Sequence, residues 1–503
     1  MEELDVLVVG AGLSGIGAGY YLQAQCPGRT YAIFEGRSQL GGTWDLFRYP
    51  GVRSDSDMYT LGFAFRPWKE AKAIADGPAI LRYLQDTAKA YKIDRHIRTG
   101  HRVLAADWDS RRSQWIVTYR VEGEAEARQV ACNFLHMCSG YYNYEQGYRP
   151  EFPGEAQFQG RIIHPQHWPQ DLDYSGKRVV VIGSGATAVT LVPAMAQSAA
   201  HVTMLQRSPT YMVSRPAEDQ FANLLRKILP SKLAYDLIRW RNVFLQLYFY
   251  NVTRKHPQKT KEALLERLRP LLPPDFDVAT HLTPRYNPWD QRLCLVPDAD
   301  MFEALSKGTA SIVTDEIASL TETGLVLKSG ATLEADVVVT ATGLDMKLMH
   351  GVQLSMDGVP LILSDTFSYK GIMYSGVPNL SSTFGYTNAS WTLKADLTAE
   401  YICRLMRHMD RHGLRECRPV NDDPNLVPAP WLDFSSGYVQ RAMAAWPKQG
   451  TTAPWKVYQN YALDLLAFRF GKLEDGVMRF AKGRNPAVDT GAPAPTVTPT
   501  GAL

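Results

Sequence analysis

A glycine-rich turn close to the N-terminus has the residue types and spacing of a phosphate-binding loop. Gly10, Gly12 and Gly15 form Gly-x-Gly-x-x-Gly between the apolar stretch DVLVV (5–9) and a run of small residues starting at Ala18. Gly10 allows a tight turn, Gly12 a close approach of the backbone to a pyrophosphate, and Gly15 close packing of helix on strand. The order strand, turn, helix therefore predicts a dinucleotide site rather than an ordinary glycine-rich loop.

The same pattern occurs a second time, with a different residue after the following strand. KRVVVIGSGATAV carries Gly183, Gly185 and Ala188 at the matching positions. After the first turn, the strand YAIFE ends in Glu35, which suits the hydroxyls of an unmodified ribose. After the second turn, Arg207 stands near that position and suits a 2′-phosphate. These residues predict FAD or NAD at the first turn and NADP at the second, with a solvated surface arginine as the alternative for Arg207.

The amino-acid composition also restricts the classes of protein and ligand that fit this chain. The 503 residues are 45% hydrophobic, enough for two to four domains, and 54 basic against 51 acidic side chains give a formal charge of +3. This balance favours a small-molecule or nucleotide ligand over nucleic acid. The six cysteines form no C-x-x-C pair, which argues against a disulfide framework and against a dithiol flavin reductase. The acidic start, MEELD, lacks the basic region of a signal peptide, so we expect a cytoplasmic protein.

The elements that must position these residues follow an α/β pattern with a helical insertion. A strand at ADVVVTATG (335–343) would return the chain from the second nucleotide domain to the first. We therefore expect two Rossmann-like dinucleotide-binding domains, one for FAD and one for NADP, with the FAD domain discontinuous. The predicted bounds are 1–150 and 341–483 for the FAD domain, 151–213 and 292–340 for the NADP domain, 214–291 for a helical cap over the active site, and 484–503 for a disordered tail rich in Pro, Thr and Gly.

The predicted cap contains an aromatic run that permits a second interpretation. RWRNVFLQLYFYNV (239–252) is flanked by basic residues and lies in a segment with helical apolar spacing. The run is too interrupted to cross a bilayer, but it fits a helix lying on a membrane surface. Peripheral membrane contact therefore stays open beside the simpler interpretation of a cap helix.

Between the two turns lies FQGRIIHPQHWP (158–169), which contains two histidines. His164 and His167 do not make a structural zinc site by themselves, because such a site needs four ligands and no cysteine is near; we predict no metal. The stretch fits an ordinary loop, but its Phe-x-Gly-x3-His-x3-Trp-Pro pattern also resembles the fingerprint of type I Baeyer–Villiger monooxygenases. Residues 41–55, GGTWDLFRYPGVRSD, are similar to the second fingerprint of that family.

The resemblance runs from residue 5 to about 483, and beyond the fingerprints four stretches look like the branch of the family that includes the ethionamide-activating enzyme. These stretches are SGYYNYEQGYRPEFPG (139–154), VTMLQRSPTYMVSRP (202–216), YNPWDQRLCLVPD (286–298) and GYTNASWTLKADL (385–397).

The resemblance implies that NADPH reduces FAD, that O2 adds to flavin C4a, and that the peroxyflavin inserts one oxygen beside a ketone carbonyl to give an ester or lactone. It further implies that Arg292 is the catalytic arginine and that Asp55 orients it. S-oxygenation of thioethers or thioamides is the alternative reaction. The stretch 158–169 becomes a hinge between the domains, and its implied hinge residues are Gly160, His164 and Trp168.

The expected partners are a small ketone or thioether, O2 and the two cofactors, FAD and NADPH. A non-catalytic flavin-binding sensor is a weaker alternative, because it would have no use for Arg207 or Arg292. The sequence does not predict the substrate or the oligomeric state. The residues predicted to bind the cofactors are Gly10, Gly12, Ser14, Gly15, Glu35, Gly42, Thr43, Trp44, Arg53, Ser54, Asp55, Val103, Gly183, Ser184, Gly185, Ala186, Thr187, Ala188, Val189, Arg207 and Ser208.

Overall fold

Two sheets organise the chain, and each contains a strand that ends at one of the predicted glycine turns. The computed structural model describes residues 1–432 and 434–483; the predicted tail, 484–503, lies outside the described residues. Both glycine turns connect a largely buried strand to a helix. The predicted α/β class, with two Rossmann-like units and a helical insertion, is confirmed.

The first sheet is mixed and has nine strands in the described chain. Its strand Glu2–Val9 lies between two parallel neighbours. Residues 6–9 of this strand are buried apolar side chains, as expected for a strand covered on both faces. An antiparallel section extends the sheet on one side. The strands are Glu2–Val9, Tyr31–Phe34, Ile97–Arg98, His101–Asp109, Gln114–Val121, Ala127–Met137, Gln353–Met356, Val359–Pro360 and Leu380–Ser382.

The second sheet has five parallel strands within residues 1–432 and 434–483. The strand predicted near 335–343 pairs with the strand that precedes the second glycine turn, and the chain then returns to the first sheet. One edge strand lies inside FQGRIIHPQHWP, where the sequence does not predict it, because three residues are too few to show a period of two. From edge to edge, the strands are Ala310–Thr314, His201–Gln206, Arg178–Ile182, Val337–Thr340 and Arg161–Ile163.

Helices pack around and between the sheets. The helix after the first glycine turn packs against the long helix Trp391–His412. In the described part of the chain, no helix combines the length and apolar content needed to cross a membrane. The α-helices are Leu13–Gln25, Thr43–Leu46, Met58–Leu61, Gly77–Ala90, Ala186–Met195, Gln220–Ile228, Ser231–Lys255, Pro257–Leu268, Val278–His281, Asp300–Ser306, Trp391–His412, Gly437–Ala442 and Tyr461–Arg469.

The helices predicted for 214–291 form, but they do not cover the large cavity described below. No residue between 214 and 290, all within the described chain, lines that cavity. The helix Ser231–Lys255 instead packs against the first domain, where its Arg239 is buried. The first domain is the part of the chain built on the nine-stranded sheet, and the second domain is the part built on the five-stranded sheet. Arg239 Nη1 donates to the carbonyl oxygens of Tyr59 and Gly62 at 2.8 and 2.7 Å. Amphipathic spacing predicts that a helix packs against something, but it does not identify the surface.

Candidate active site

The first glycine turn has the conformation that its three glycines require. Gly10 has φ +104°, and a Cβ there would lie 2.6 Å from the carbonyl oxygen of Cys138. A Cβ on Gly15 would lie 1.8 Å from the carbonyl oxygen of Gly10, so no larger residue fits between helix and strand. Gly12 is different, because a Cβ there would make only ordinary contact, with Gly42 Cα at 3.5 Å. Gly10 and Gly15 are thus required by the turn itself, whereas Gly12 is required only where a ligand would approach it in the cavity.

Glu35 lies at the end of the neighbouring strand, as predicted. Its buried carboxylate accepts hydrogen bonds from the amides of Ala11 at 2.8 Å and Arg37 at 3.0 Å. Burial raises the pKa of Glu35, and the two amide hydrogen bonds oppose that shift. The carboxylate is thereby held rigidly beside the turn, at the edge of the cavity.

The segment 41–44 covers the first turn from the other side. Gly42 has φ +56°, and a Cβ there would lie 3.1 Å from Gly12 Cα. Thr43 and Trp44 begin a short helix and border the cavity. Together with Gly12, this segment forms a narrow cradle that larger side chains would fill.

The second glycine turn repeats the geometry of the first. Gly183 has φ +136°, and a Cβ there would lie 2.2 Å from the carbonyl oxygen of Ala341. A Cβ on Gly185 would meet nothing within 4 Å, so the space beside this residue is open. The turn residues Ser184, Ala186 and Thr187 border the cavity. Close approach of a ligand to the backbone is therefore possible at Gly185.

Arg207 and Ser208 follow the next strand and are exposed at the rim of the cavity. Arg207 forms no hydrogen bond or ion pair with any residue of the described chain. The preceding Gln206 is buried, and its Nε2 donates to His281 O at 2.8 Å and Thr314 Oγ1 at 2.9 Å. Gln206 is therefore structural, whereas the Arg207 guanidinium is available to an anion.

Arg292 and Asp55 come from distant parts of the chain and meet inside the cavity. Arg292 Nη1 donates to Asp55 Oδ2 at 2.7 Å. Burial would lower the pKa of Arg292, but the Asp55 carboxylate and nearby tyrosines hold that pKa well above its ordinary value. About a third of each side chain, 36% and 39%, stays accessible, and both residues line the cavity. The guanidinium is therefore a permanent cation facing the cavity.

The loop before Asp55 is held against the second domain. A Cβ on Gly51, which has φ +74°, would lie 2.7 Å from Ala194 Cβ on the helix after the second glycine turn. Arg53 forms an ion pair with Asp300 at the start of another second-domain helix. The buried Ser54 closes the loop by donating from Oγ to Ser56 O at 2.7 Å. These contacts determine where Asp55 lies relative to Arg292.

The stretch 158–169 contacts both domains. Its strand Arg161–Ile163 belongs to the second sheet, whereas Gln166 Nε2 donates to Asn143 O of the first domain at 2.7 Å. A Cβ on Gly160 would lie 2.5 Å from Asp336 O, so glycine is needed there for close packing. Burial lowers the pKa of His164, which leaves its ring neutral at pH 7.

Trp168 lies at the end of this stretch, on the second-domain side. Its half-buried ring packs at the edge of the second-domain core, with its centroid 6.4 Å from that of Tyr174. None of the three predicted hinge residues, Gly160, His164 and Trp168, borders the cavity; only the neighbouring His167 does.

One cavity of about 1210 Å³ connects these features. It is bordered by both glycine turns, by Glu35 and Arg207, and by the pair Arg292 and Asp55. Gly15, Ala188 and Val189 do not border it; the first packs helix on strand, and the other two are buried behind the second turn. The other predicted residues that border the cavity are Gly10, Gly12, Ser14, Gly42, Thr43, Trp44, Arg53, Ser54, Val103, Gly183, Ser184, Gly185, Ala186, Thr187 and Ser208.

Several aromatic residues of the cavity are not singled out by the sequence. The hydroxyls of Tyr141 and Tyr142 lie 2.8 Å apart near Arg292, and burial raises the pKa of Tyr141 to about 12. Trp391 Nε1 donates to Ser14 Oγ at 2.8 Å, and its ring stacks on Tyr141 with centroids 5.2 Å apart. The stretches that contain them, SGYYNYEQGYRPEFPG (139–154) and GYTNASWTLKADL (385–397), resemble the same branch of the family, but only the fold brings these side chains to the first turn.

Two dinucleotide-type turns that open into one cavity, with an arginine–carboxylate pair between them, define a two-nucleotide oxidoreductase. Residues 71–270 match the family model described as flavin-binding monooxygenase-like, and residues 8–76 match an NAD(P)-binding Rossmann-like domain. The FAD-containing monooxygenase EthA of Mycolicibacterium smegmatis is 52% identical over 484 residues, which cover 96% of this chain and 98% of the relative. EthA of Mycobacterium tuberculosis is 52% identical over 482 residues, with the same coverage.

The chain therefore belongs to the FAD-containing monooxygenases, and the prediction of a flavoprotein monooxygenase is confirmed. The fold is also shared with the solved structure of an oxidised steroid monooxygenase bound to NADP. That structure has a TM-score of 0.73 and 23% sequence identity, and the match covers 96% of this chain and 100% of the other.

Proposed function

We propose that this protein is an NADPH-dependent Baeyer–Villiger monooxygenase, which inserts one oxygen of O2 beside a ketone carbonyl to give an ester or lactone. The observation that carries the proposal is the Arg292–Asp55 pair, because it lies in the one cavity that both glycine turns border. A permanent cation at that position suits a reaction in which negative charge develops on the oxygen being transferred.

The residues around the first turn fit FAD. Gly12 and Gly42 leave a cradle that a pyrophosphate can approach, and the helix that starts at Leu13 directs its N-terminus at the phosphates. Glu35 is placed to accept hydrogen bonds from the ribose hydroxyls. When bound and reduced, FAD supplies the oxygen-activating chemistry. We assign it to the predicted FAD domain, 1–150 and 341–483.

The residues around the second turn fit NADPH. The open space at Gly185 accommodates a pyrophosphate against the backbone amides. Arg207, without a partner in the described chain, is placed to pair with the 2′-phosphate. We assign NADPH to the predicted NADP domain, 151–213 and 292–340.

Arg292 and Asp55 then have separate roles. Arg292 holds negative charge without giving up a proton, since its pKa lies far above neutral pH. Asp55 accepts a hydrogen bond from Nη1 and so determines the direction of the guanidinium plane. The neighbouring tyrosines and Trp391 form an aromatic wall that limits the access of water.

The proposal is tested by product analysis of the purified enzyme with NADPH and O2. We expect esters or lactones from a panel of linear, cyclic and aryl ketones. With the best-coupled ketone of the panel, one product molecule should form for each NADPH oxidised. A thioether offered in parallel reports on S-oxygenation, the alternative that the sequence leaves open. Sulfoxide as the product with no ester from any ketone would reject Baeyer–Villiger activity in favour of heteroatom oxygenation.

We also infer a cytoplasmic location from the state of the cysteines. All six are buried and unpaired, which is typical of proteins from a reducing compartment. Fractionation of cells that express the protein would test this inference, with activity expected in the cytoplasmic and not in the exported fraction.

A further inference from the structure

Two neighbouring helices of the insertion expose a continuous series of large apolar side chains. The residues lie on Gln220–Ile228 and Ser231–Lys255, and between 39% and 69% of each is accessible. Scattered apolar residues are normal on a surface, but a concentration of this size marks an interaction site. We call this set the outer apolar face; its residues are Phe221, Leu224, Ile228, Leu233, Leu237, Trp240, Phe244 and Tyr248.

The long helix is apolar on two opposite sides. Leu233, Leu237, Trp240, Phe244 and Tyr248 recur every three or four residues and form one exposed stripe. The buried side, about half a turn away, packs into the core of the first domain through Ala234, Tyr235 and Ile238. One side therefore explains the folding of this helix, and the other is left without a partner in the described chain.

A third helix adjoins the outer apolar face. The ring of Trp240 lies 6.0 Å from that of Tyr461, at the start of Tyr461–Arg469. This helix and the residue after it also expose apolar side chains, namely Leu463, Leu466 and Phe470. Residues from two distant parts of the sequence thus contribute apolar surface in one region of the molecule.

The charge of this region identifies its partner. Residues 220–259 contain eight Lys or Arg residues and one acidic residue, whereas the whole chain has 54 basic against 51 acidic side chains. Four of the eight are ion-paired, namely Lys232, Arg239, Arg241 and Arg254, and the other four have no acidic partner in the described chain. Two copies of the face brought together would oppose like charges, which disfavours self-association. An anionic lipid surface offers both the apolar interior and the negative charge that the segment lacks. The exposed basic residues of this segment without an ion-pair partner in the described chain are Lys227, Lys255 and Lys259.

We propose that the outer apolar face docks on the surface of an anionic lipid bilayer, with the aromatic and aliphatic side chains in the headgroup region and the basic residues on acidic headgroups. The helices lie on the bilayer and do not cross it. Because residues 214–290 do not line the active-site cavity, docking leaves that cavity free. The proposal does not depend on which reaction the enzyme catalyses.

Sedimentation with lipid vesicles tests this proposal on the full-length, FAD-loaded protein. We expect the protein to pellet with vesicles of phosphatidylcholine and phosphatidylglycerol in a ratio of about three to one, and much less with phosphatidylcholine alone. High salt should weaken the binding. Replacing Leu237→Ser, Phe244→Ser and Tyr248→Ser together should lower the partition coefficient at least about tenfold. All three side chains are exposed, so flavin content and melting temperature should stay unchanged.

A matched control removes the same number of exposed apolar side chains elsewhere. Val359→Ser, Ile362→Ser and Val427→Ser lie outside the outer apolar face and should bind vesicles like the parent. If the first triple variant fails to fold, Lys227→Glu with Lys255→Glu should still reduce pelleting with anionic vesicles. The proposal is overturned if the parent stays in the supernatant with both kinds of vesicle. It is also overturned if light scattering shows that the parent is a dimer that binds no lipid, and that the first triple variant, but not the control triple variant, is a monomer.

Discussion

At the scale of single residues, two arginines of the site differ in their surroundings. Arg292 is held by Asp55 at 2.7 Å inside the cavity, whereas Arg207 stands at the rim without a partner in the described chain. An arginine that is oriented by a carboxylate suits a catalytic centre, whereas an arginine without an acidic partner suits the binding of a phosphate. Both roles can be tested by removing the charge.

We expect Arg292→Ala to separate NADPH oxidation from product formation. Hydride transfer precedes oxygen transfer and involves a different charge distribution, so flavin reduction should survive. Removing one preorganised donor from a developing anion costs about 2.7 to 4 kcal/mol, so ester formation should fall by roughly a hundred- to a thousandfold. The measurement is ester yield per NADPH oxidised, with hydrogen peroxide as the by-product.

Two variants serve as controls for this prediction. Arg292→Lys keeps the charge but loses the planar fork, and should restore little activity. Arg254→Ala removes an arginine that pairs with Asp290 at 2.7 Å outside the cavity, and should behave like the parent. An Arg292→Ala enzyme with the ester yield of the parent would exclude Arg292 from the mechanism.

Arg207→Ala should weaken the preference for NADPH over NADH. A charge-assisted hydrogen bond contributes about 1.5 to 3 kcal/mol, so the ratio of kcat/KM for the two cofactors should fall by roughly ten- to a hundredfold. The loss should appear in KM for NADPH and leave NADH kinetics nearly unchanged. Arg215→Ala, an exposed arginine outside the cavity, is the control. Equal use of both cofactors by the parent enzyme would refute the assignment of NADPH.

At the scale of elements, each glycine turn contains two kinds of glycine. One kind is required by the backbone conformation of the turn, and the other faces the space in which we place the ligand. Gly183 has a backbone conformation that favours glycine, whereas Gly185 has φ −76° and open space beside it. The two positions have the same residue type for different physical reasons.

Gly185→Ala should therefore fold normally and bind NADPH poorly. Its backbone conformation suits alanine, and the added Cβ would occupy the space in which we place the pyrophosphate. We expect unchanged melting temperature and FAD content, with KM for NADPH raised at least about tenfold. Gly183→Ala should instead lower the melting temperature, because its Cβ would collide with Ala341 O. Normal NADPH kinetics in Gly185→Ala would place the pyrophosphate elsewhere.

A buried histidine in the strand Ala127–Met137 predicts a pH dependence of stability. His136 Nδ1 lies 2.8 Å from Ser381 Oγ of the adjacent strand, and burial lowers the pKa of His136 to about 4. Because this folded-state pKa lies below the ordinary 6.5, the contribution to stability is complete above pH 6.5 and is lost as pH falls toward 4. The loss amounts to about 3 kcal/mol, at about 1.4 kcal/mol for each pKa unit.

This prediction is measured as the change in unfolding free energy between pH 7 and pH 4. His136→Gln should show a smaller decrease than the parent, whatever its stability at pH 7. His256→Gln removes an exposed histidine and should keep the slope of the parent. Equal slopes for the parent and His136→Gln would show that His136 does not titrate in this range.

At the scale of the whole molecule, the contacts between the two domains position the reacting groups. The loop before Asp55 packs on a helix of the second domain, Arg53 pairs with Asp300, and the stretch 158–169 contacts both domains. A change in any of these contacts alters the distance from Asp55 to Arg292 without touching either residue.

Trp168→Ala should therefore retain FAD but lower coupling. Its ring packs against the second-domain core and does not border the cavity. A displacement of about 1 Å between reacting groups can cost roughly a hundredfold in rate, so we expect product per NADPH to fall roughly tenfold or more. Trp168→Phe, which keeps an aromatic ring, should restore most of the coupling. Unchanged product yield without extra hydrogen peroxide in Trp168→Ala would reject the hinge role.

The sequence by itself determined the two turns and the residues that follow them. Glycine spacing between an apolar strand and a helix has few structural solutions, because backbone sterics and phosphate approach demand small residues at particular positions. For this reason Gly10, Gly15 and Gly183 have the predicted conformations, and Glu35 lies beside the first turn. The α/β class and the helical insertion follow from the same local patterns.

Only the tertiary structure decided which distant residues meet. The pairing of Asp55 with Arg292, 237 positions apart, was implied by family resemblance and by no local pattern. The helix Ser231–Lys255 lies against the first domain, whereas Leu268 and Leu282 of the same segment lie in the second-domain core, and no residue between 214 and 290 of the described chain lines the cavity. Periodicity defines an apolar stripe and not its partner. The hydrogen bond from Trp391 to Ser14 is likewise predicted by no local pattern. Packing depends on the shape of the whole molecule, which no single stretch of sequence contains.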